Sequence, residues 1–202
     1  LSFVLSGVLG PFPNGGRICV AAVVAGSVHG WDQALHPECG RPQARALTDT
    51  LVCRTPAASV VDGLGRDWLH RLVARQSSTR LMALAEESAC NASHRVLERL
   101  SKWLVRLHCG ANGAPLGLTQ GDFGAMLGVQ RTSINAAAGR LQEKRLVKFG
   151  RGKVQILDLE GLRSASCRCG DSASLPSTRP SPLPLGSADA PGWAPPVAPT
   201  AA

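Results

Sequence analysis

Residues 118–157 (LTQGDFGAMLGVQRTSINAAAGRLQEKRLVKFGRGKVQIL) hold seven lysines and arginines against two acids, Asp122 and Glu143. Arg131, Arg140, Lys144, Arg145, Lys148, Arg151 and Lys153 give this stretch +5 of the chain's total of +8. Cations spaced in this way neutralise phosphates and release their counterions, which is the chemistry of holding nucleic acid. The same charges on a helical hairpin could simply be solvated. The framework that carries them decides between the two readings.

That framework reads as two short helices and a hairpin. Thr119 is a good N-cap, and Asp122 falls in the first turn, where an acid complements the helix dipole. Phe123, Met126 and Leu127 recur at helical spacing. Gly128 ends that helix after about two turns and supplies the positive φ of a sharp turn. Ile134, Ala137, Ala138 and Leu141 then share one face of a second helix. Two short helices joined by a glycine-containing turn are the helix-turn-helix pattern. Gly124 is the small residue where the helices cross, and Ile134 is the apolar anchor of the second. Leu146–Phe149, Gly150-Arg151-Gly152 and Lys153–Leu157 read as strand, turn and strand. A hairpin there is the wing of a winged helix, and a basic second helix with a basic wing tip suits a major groove flanked by phosphates.

The run from Thr119 through Asp122, Phe123, Gly124, Met126 and Leu127 to Gly128 resembles the reader domain of Crp–Fnr transcription regulators. The resemblance implies that helix 131–143 enters the major groove of double-stranded DNA. Arg131 falls on the family's base-reading arginine, with guanine O6 and N7 as its expected partners. Gln130, Thr132, Ser133 and Asn135 are the other groove-facing candidates. Thr119 falls on a position whose backbone contacts phosphate; Gln120, Arg140, Arg151 and Lys153 are placed with it as residues that position phosphates without reading sequence. The glutamate that usually follows the reading arginine is Thr132 here, and a later base-reading arginine is Ala136. Operator preference should therefore differ from that of the founding members.

Upstream, FVLSG, GGRI and AGSVHGW resemble landmarks of the family's sensor roll, so the likeness runs from about residue 2 to 169. The expected fold is α+β. Residues 1–60 form a partial cyclic-nucleotide-binding-like β-roll, 61–90 a dimerisation and linker helix, and 91–169 the winged helix-turn-helix domain. Residues 170–202 hold eight of the 14 prolines with little charge, and read as a disordered tail. The resemblance also implies that the first strands of the roll are absent, and Leu1 in place of Met points to a fragment or an imperfect gene start.

The residues themselves support this outline. Phe3–Leu5, Ile18–Val24 and Leu47–Cys53 are short apolar runs, and Asn14-Gly15-Gly16 is a turn signal. A long helix is expected over 62–88, with Leu69, Leu72, Val73, Gln76, Thr79 and Ala83 along one seam and Leu81, Leu84 and Ala85 beside it. It pairs with a second copy if the resemblance holds, or packs on its own domain. Asn91 or Ser93 is the expected cap of the next helix, whose face is Val96, Leu97, Leu100, Trp103, Leu104 and Leu107. Trp103 is expected in the core, His94 and His108 as surface or capping groups. Asp158–Ser166 would close the domain with a short helix.

Two sensor chemistries are weighed and set aside. Gly30 and Arg41 have the spacing of the family's phosphate-binding cassette. Its ribose-binding glutamate, however, would be Trp31, and its Ser/Thr would be Pro42, which has no N–H to offer an anion. Cys53 lies where the Fnr branch places an iron–sulfur ligand, but four thiolates are normally required, and a buried cysteine on a strand is the preferred reading. The seven cysteines are odd in number and never form C-x-x-C, so reduced core thiols are expected. Cys167-x-Cys169 is tight for zinc and has no second pair nearby in sequence.

No nucleophile–base–orienter set or phosphate loop can be picked out, so an enzyme is not expected. No cofactor is assigned, and no membrane segment is found. The sequence thus reads as a cytoplasmic regulator that binds a near-palindromic operator as a homodimer, with RNA polymerase as a candidate partner. The alternative is a small-ligand sensory module whose DNA reader is inactive.

Overall fold

The computed structural model describes residues 1–12, 22–31 and 43–169. The N-terminal strands form two three-stranded antiparallel sheets. β1 (Ser2–Ser6) lies between β4 (Val28–His29) and β6 (Leu51–Arg54), and β2 (Val8–Phe12) lies between β3 (Val23–Val24) and β5 (Gln43–Ala46). Phe3 faces Cys53 and Val4 faces Val52 across the first sheet, while Leu9 faces Ala46 and Phe12 faces Gln43 across the second.

The chain changes sheets twice at one level, at Gly7 and again over residues 47–50. Gly7 has φ +79°, and a Cβ there would collide with the backbone of Asp49 and Thr50. Glycine is therefore required where the two crossings pass. Thr48 and Thr50 hold the crossing: the Val8 N–H donates to Thr48 Oγ1 at 2.9 Å, and Thr50 Oγ1 reaches Val8 O at 3.2 Å. The single run expected over Leu47–Cys53 is thus split, because its residues serve different sheets. The turn at Asn14-Gly15-Gly16, the start of the Ile18–Val24 run, Arg41 and Pro42 lie outside the described residues, as does the 170–202 segment.

The long helix is offset from its expected position. α1 (Ala57–Leu64) ends at Gly65, whose φ of +84° breaks the helical path. α2 then runs from Arg66 to Ser93, 28 residues. Its first turns pack on the roll: Leu69, Leu72 and Val73 are buried with Val28, and Phe3, Trp31 and Trp68 lie against them. The middle of α2 has no such cover, and Leu81 and Met82 are 69% and 63% exposed. Asn91 and Ser93 are in the last turn of α2 and cap nothing. The next helix, α3 (Val96–Gly110), starts instead at Arg95, whose N–H donates to the Glu98 carboxylate at 2.9 Å.

One core joins the roll to the C-terminal domain. Val8, Phe12, Val24 and Leu47 belong to the same buried cluster as Leu100, Trp103, Leu104 and Leu107 of α3. Gly110 permits this approach, since a Cβ there would stand 2.5 Å from Val8 Cγ2. Trp103 is in the core as expected, 4% exposed. The chain continues through α4 (Gln120–Leu127), α5 (Arg131–Glu143), the hairpin β7 (Val147–Gly150) and β8 (Lys153–Ile156), and α6 (Leu159–Ser164). Asp158 caps α6, accepting from the Gly161 N–H at 2.9 Å.

Two expectations about thiols change. Cys53 lies on a strand, but it is exposed, because β6 is the edge of its sheet. Cys167-x-Cys169 does have a second pair beside it in space: Cys90 and His94, one turn apart at the end of α2. His94 caps the end of α2, as one of its two expected roles, and its ring also faces Cys169. Burial, reinforced by the hydrogen bond with Cys90, pushes the Cys167 thiol up to about 12. No helix among the described residues is long and apolar enough to cross a membrane.

Candidate nucleic-acid interface

The first helix of the reader, α4, is fixed at both ends. Thr119 Oγ1 accepts from the Asp122 N–H at 3.1 Å, and Asp122 Oδ2 accepts from the Thr119 N–H at 2.8 Å, a reciprocal cap. At the other end Gly128 adopts the left-handed conformation, φ 65° and ψ 36°. A buried arginine that sequence reasoning passed over, Arg99 of α3, donates from Nη2 to Leu127 O at 2.6 Å. It satisfies a carbonyl that the end of a helix would otherwise leave open. Gly124 sits where α4 meets the turn, and a Cβ there would be 3.2 Å from Val129 O.

The turn delivers α5 with Ile134, Ala137, Ala138 and Leu141 buried against α3 and α4. Helical spacing then sends the stripe of Thr132, Ala136 and Gly139 outward, with Asn135 and Arg140 on its flanks. Arg131, Thr132, Asn135 and Arg140 are exposed, as are Thr119 and Gln130, while Ser133 and Gln120 are half-buried. Ala136 and Gly139 leave the middle of the outward stripe almost without side chains.

The wing is tied to the rest of the domain at three points. Gln142 Oε1 accepts from the Phe149 N–H at 2.9 Å. The Phe149 ring meets Phe123 edge to face, centroids 6.2 Å apart. Leu116 pairs with Val154 through two backbone hydrogen bonds of 2.8 Å, extending the hairpin on its inner side. The tip is the two-residue turn Arg151-Gly152, with Gly152 at φ +69°. Lys148, Arg151 and Lys153 are all exposed there. Gln142 was legible only as a polar residue near a helix end; its role depends on where the hairpin folds back.

Electrostatically the interface is open. Arg131, Arg140, Lys148, Arg151 and Lys153 make no ion pair or side-chain hydrogen bond among the described residues. They present uncompensated positive charge along one helix and the neighbouring wing.

Two short helices joined by a glycine turn, with the second braced by a basic hairpin, define a winged helix-turn-helix domain. Residues 98–165 match the family model of the Crp-like helix-turn-helix domain. Solved structures extend the likeness over most of the chain. A CRP/FNR-family transcriptional regulator from Thermus thermophilus matches with a TM-score of 0.64 and 22% identity, over 82% of this chain and 86% of that one. A CRP-family regulator from the same organism gives 0.65 and 17%, over 83% and 89%. FixK2 from Bradyrhizobium japonicum gives 0.60 and 18%, over 82% and 86%. No curated protein sequence matches the chain. The chain thus carries a Crp-like helix-turn-helix domain within the fold of the CRP/FNR transcriptional regulators.

Proposed function

We propose that the protein is a sequence-specific DNA-binding transcription regulator that grips a near-palindromic operator as a homodimer. The observation that carries this reading is the row of unpaired cations on α5 and the wing, beside an outward helix face lined by Thr132, Asn135 and Ala136. In this reading Arg131 contacts a base edge from the first turn of α5. Gln130, Thr132, Ser133 and Asn135 face the groove, and Thr119, Gln120, Arg140, Arg151 and Lys153 face phosphates. The uncovered middle of α2 supports a second copy, and a two-fold pair would set its readers about one helical turn of DNA apart, ~34 Å. The roll is then the sensor. The packing of Trp31 against α2 residues supports a roll that does not use this position to hold a ribose.

Binding to single-base operator variants, repeated at two salt concentrations, tests the division of labour. Arg131→Ala should lose roughly 1–3 kcal/mol on the cognate site and relax preference at one base pair per half-site. Arg151→Ala should weaken cognate and random DNA alike, and flatten the salt dependence by about one phosphate's worth per reader. If Arg131→Ala weakens every sequence equally, helix α5 is not the reading element.

A further inference from the structure

The end of α2 meets the chain that follows α6. Cys90 and His94 come from the helix end, one turn apart, and Cys167 and Cys169 from the segment after Ser164. Cys90 Sγ and Cys167 Sγ are 3.4 Å apart, and Cys169 Sγ is 3.4 Å from His94 Nδ1. All four ligand atoms lie within 4.8 Å of one another. A tetrahedral zinc ion, with bonds of ~2.3 Å to sulfur and ~2.0 Å to nitrogen, needs its ligands about 3.5–3.8 Å apart. The four atoms are already close to that spacing, from two segments more than 70 positions distant in sequence.

A second observation is electrostatic. Lys102 is only 4% exposed, and its Nζ lies 3.0 Å from Cys90 Sγ. It also donates to both carboxylate oxygens of Glu87 at 2.9 Å, and Arg106 pairs with that same Glu87. Among the pairs of the described residues, two cations share the Glu87 carboxylate, leaving a surplus positive charge against the sulfur. Burying such a charge is costly unless an anion balances it. Three thiolates, a neutral imidazole and Zn²⁺ together carry one negative charge, which would offset the charge of Lys102 beside the sulfur. A Cys90–Cys167 disulfide would engage only two of the four groups and leave the surplus in place.

We propose that Cys90, His94, Cys167 and Cys169 form a closed Cys3His site for a zinc ion. Full coordination by four protein groups makes the site structural, since a catalytic zinc keeps an open position. The ion clamps the last residues of the reader to the end of α2, at the junction where the long helix hands over to α3. It fixes the pose of the reader on that helix, with Lys102 as the outer partner that neutralises the thiolates. The proposal rests on these residues alone and stands whether or not the basic face binds DNA.

The full chain, purified under reducing conditions, should contain one zinc per chain by elemental analysis. After chelation, Co²⁺ titration should saturate at one equivalent, with the visible bands of a tetrahedral site and thiolate-to-metal charge transfer in the near ultraviolet. X-ray absorption on the zinc form should give three sulfurs at ~2.3 Å and one nitrogen at ~2.0–2.1 Å. Cys169→Ser and His94→Ala change half-exposed residues, so the chain should still fold, yet both should weaken Co²⁺ by more than the 10–100-fold typical of losing an outer partner. Cys53→Ser, on an edge strand and outside the four-residue group, should change nothing. An octahedral cobalt spectrum, or one unaltered by Cys169→Ser and His94→Ala, overturns the proposal. So does an iron–sulfur chromophore with labile sulfide, or a Cys90–Cys167 disulfide that persists in the reduced preparation.

Discussion

Arg45 of β5 and Asp122 of α4 meet at 3.4 Å, joining the roll to the first turn of the helix-turn-helix. The carboxylate divides its work: Oδ1 faces Arg45, and Oδ2 caps the helix through the Thr119 N–H and hydroxyl. Arg45 also lies 4.6 Å from the centre of the Phe12 ring. The side chains of the pair are 53% and 28% exposed, so solvent screens the ion pair, and the cap should dominate. Thr119→Ala is expected to cost about 1 kcal/mol. The Arg45–Asp122 coupling, from a double-mutant cycle in urea, should be no more than about 1 kcal/mol. A larger coupling would make this contact, and not the cap, the main tie of α4 to the rest of the molecule.

Much of the reader was legible from local rules. Thr119 and Asp122 announce a cap, Gly128 a left-handed stop, and the spacing from Ile134 to Leu141 a buried face; each is set within a few residues. What the sequence left open depends on distant partners. Cys53 lies on a strand, as its neighbours suggest, yet its exposure follows from β6 being an edge, a fact of topology. The long helix begins at Arg66, not residue 62, because the positive φ of Gly65 separates α1 from α2. Cys90 and His94 gave no pairing signal, since their partners Cys167 and Cys169 are brought to them by the turn of the whole domain.

The exposed centre of α2 leads to a prediction about assembly. Leu69, Leu72 and Val73 are already buried on the roll, so a dimer cannot be built on the whole expected seam. It must use the later turns, where Leu81, Met82 and Leu84 stand uncovered. Removing each large apolar group from a buried contact costs about 2–5 kcal/mol. Leu81→Ala combined with Leu84→Ala should thus convert dimer to monomer at micromolar concentration in sedimentation velocity, with little loss of helicity. Leu72→Ala should lower the melting temperature while leaving the mass unchanged. A wild-type chain that sediments as a monomer at high concentration would remove α2 as a dimer contact.

Gly139 offers the sharpest test of the outward face of α5. It stands in mid-helix, where glycine is about 1 kcal/mol less favourable than alanine. Its own fold does not require it: a Cβ there would meet nothing within 4 Å, and its φ is not in the left-handed range. Alanine should therefore stabilise the free protein by roughly 0.5–1 kcal/mol in denaturant titration. If α5 lies deep in a groove, the bare backbone at Gly139 and the methyl of Ala136 are where DNA comes closest. Gly139→Ala should then weaken cognate binding by about 10-fold, equal to ~1.4 kcal/mol, even as the fold becomes firmer. Opposite signs for stability and affinity would mark a residue kept for the complex. A gain in stability with unchanged affinity would mean that the helix meets DNA by another face.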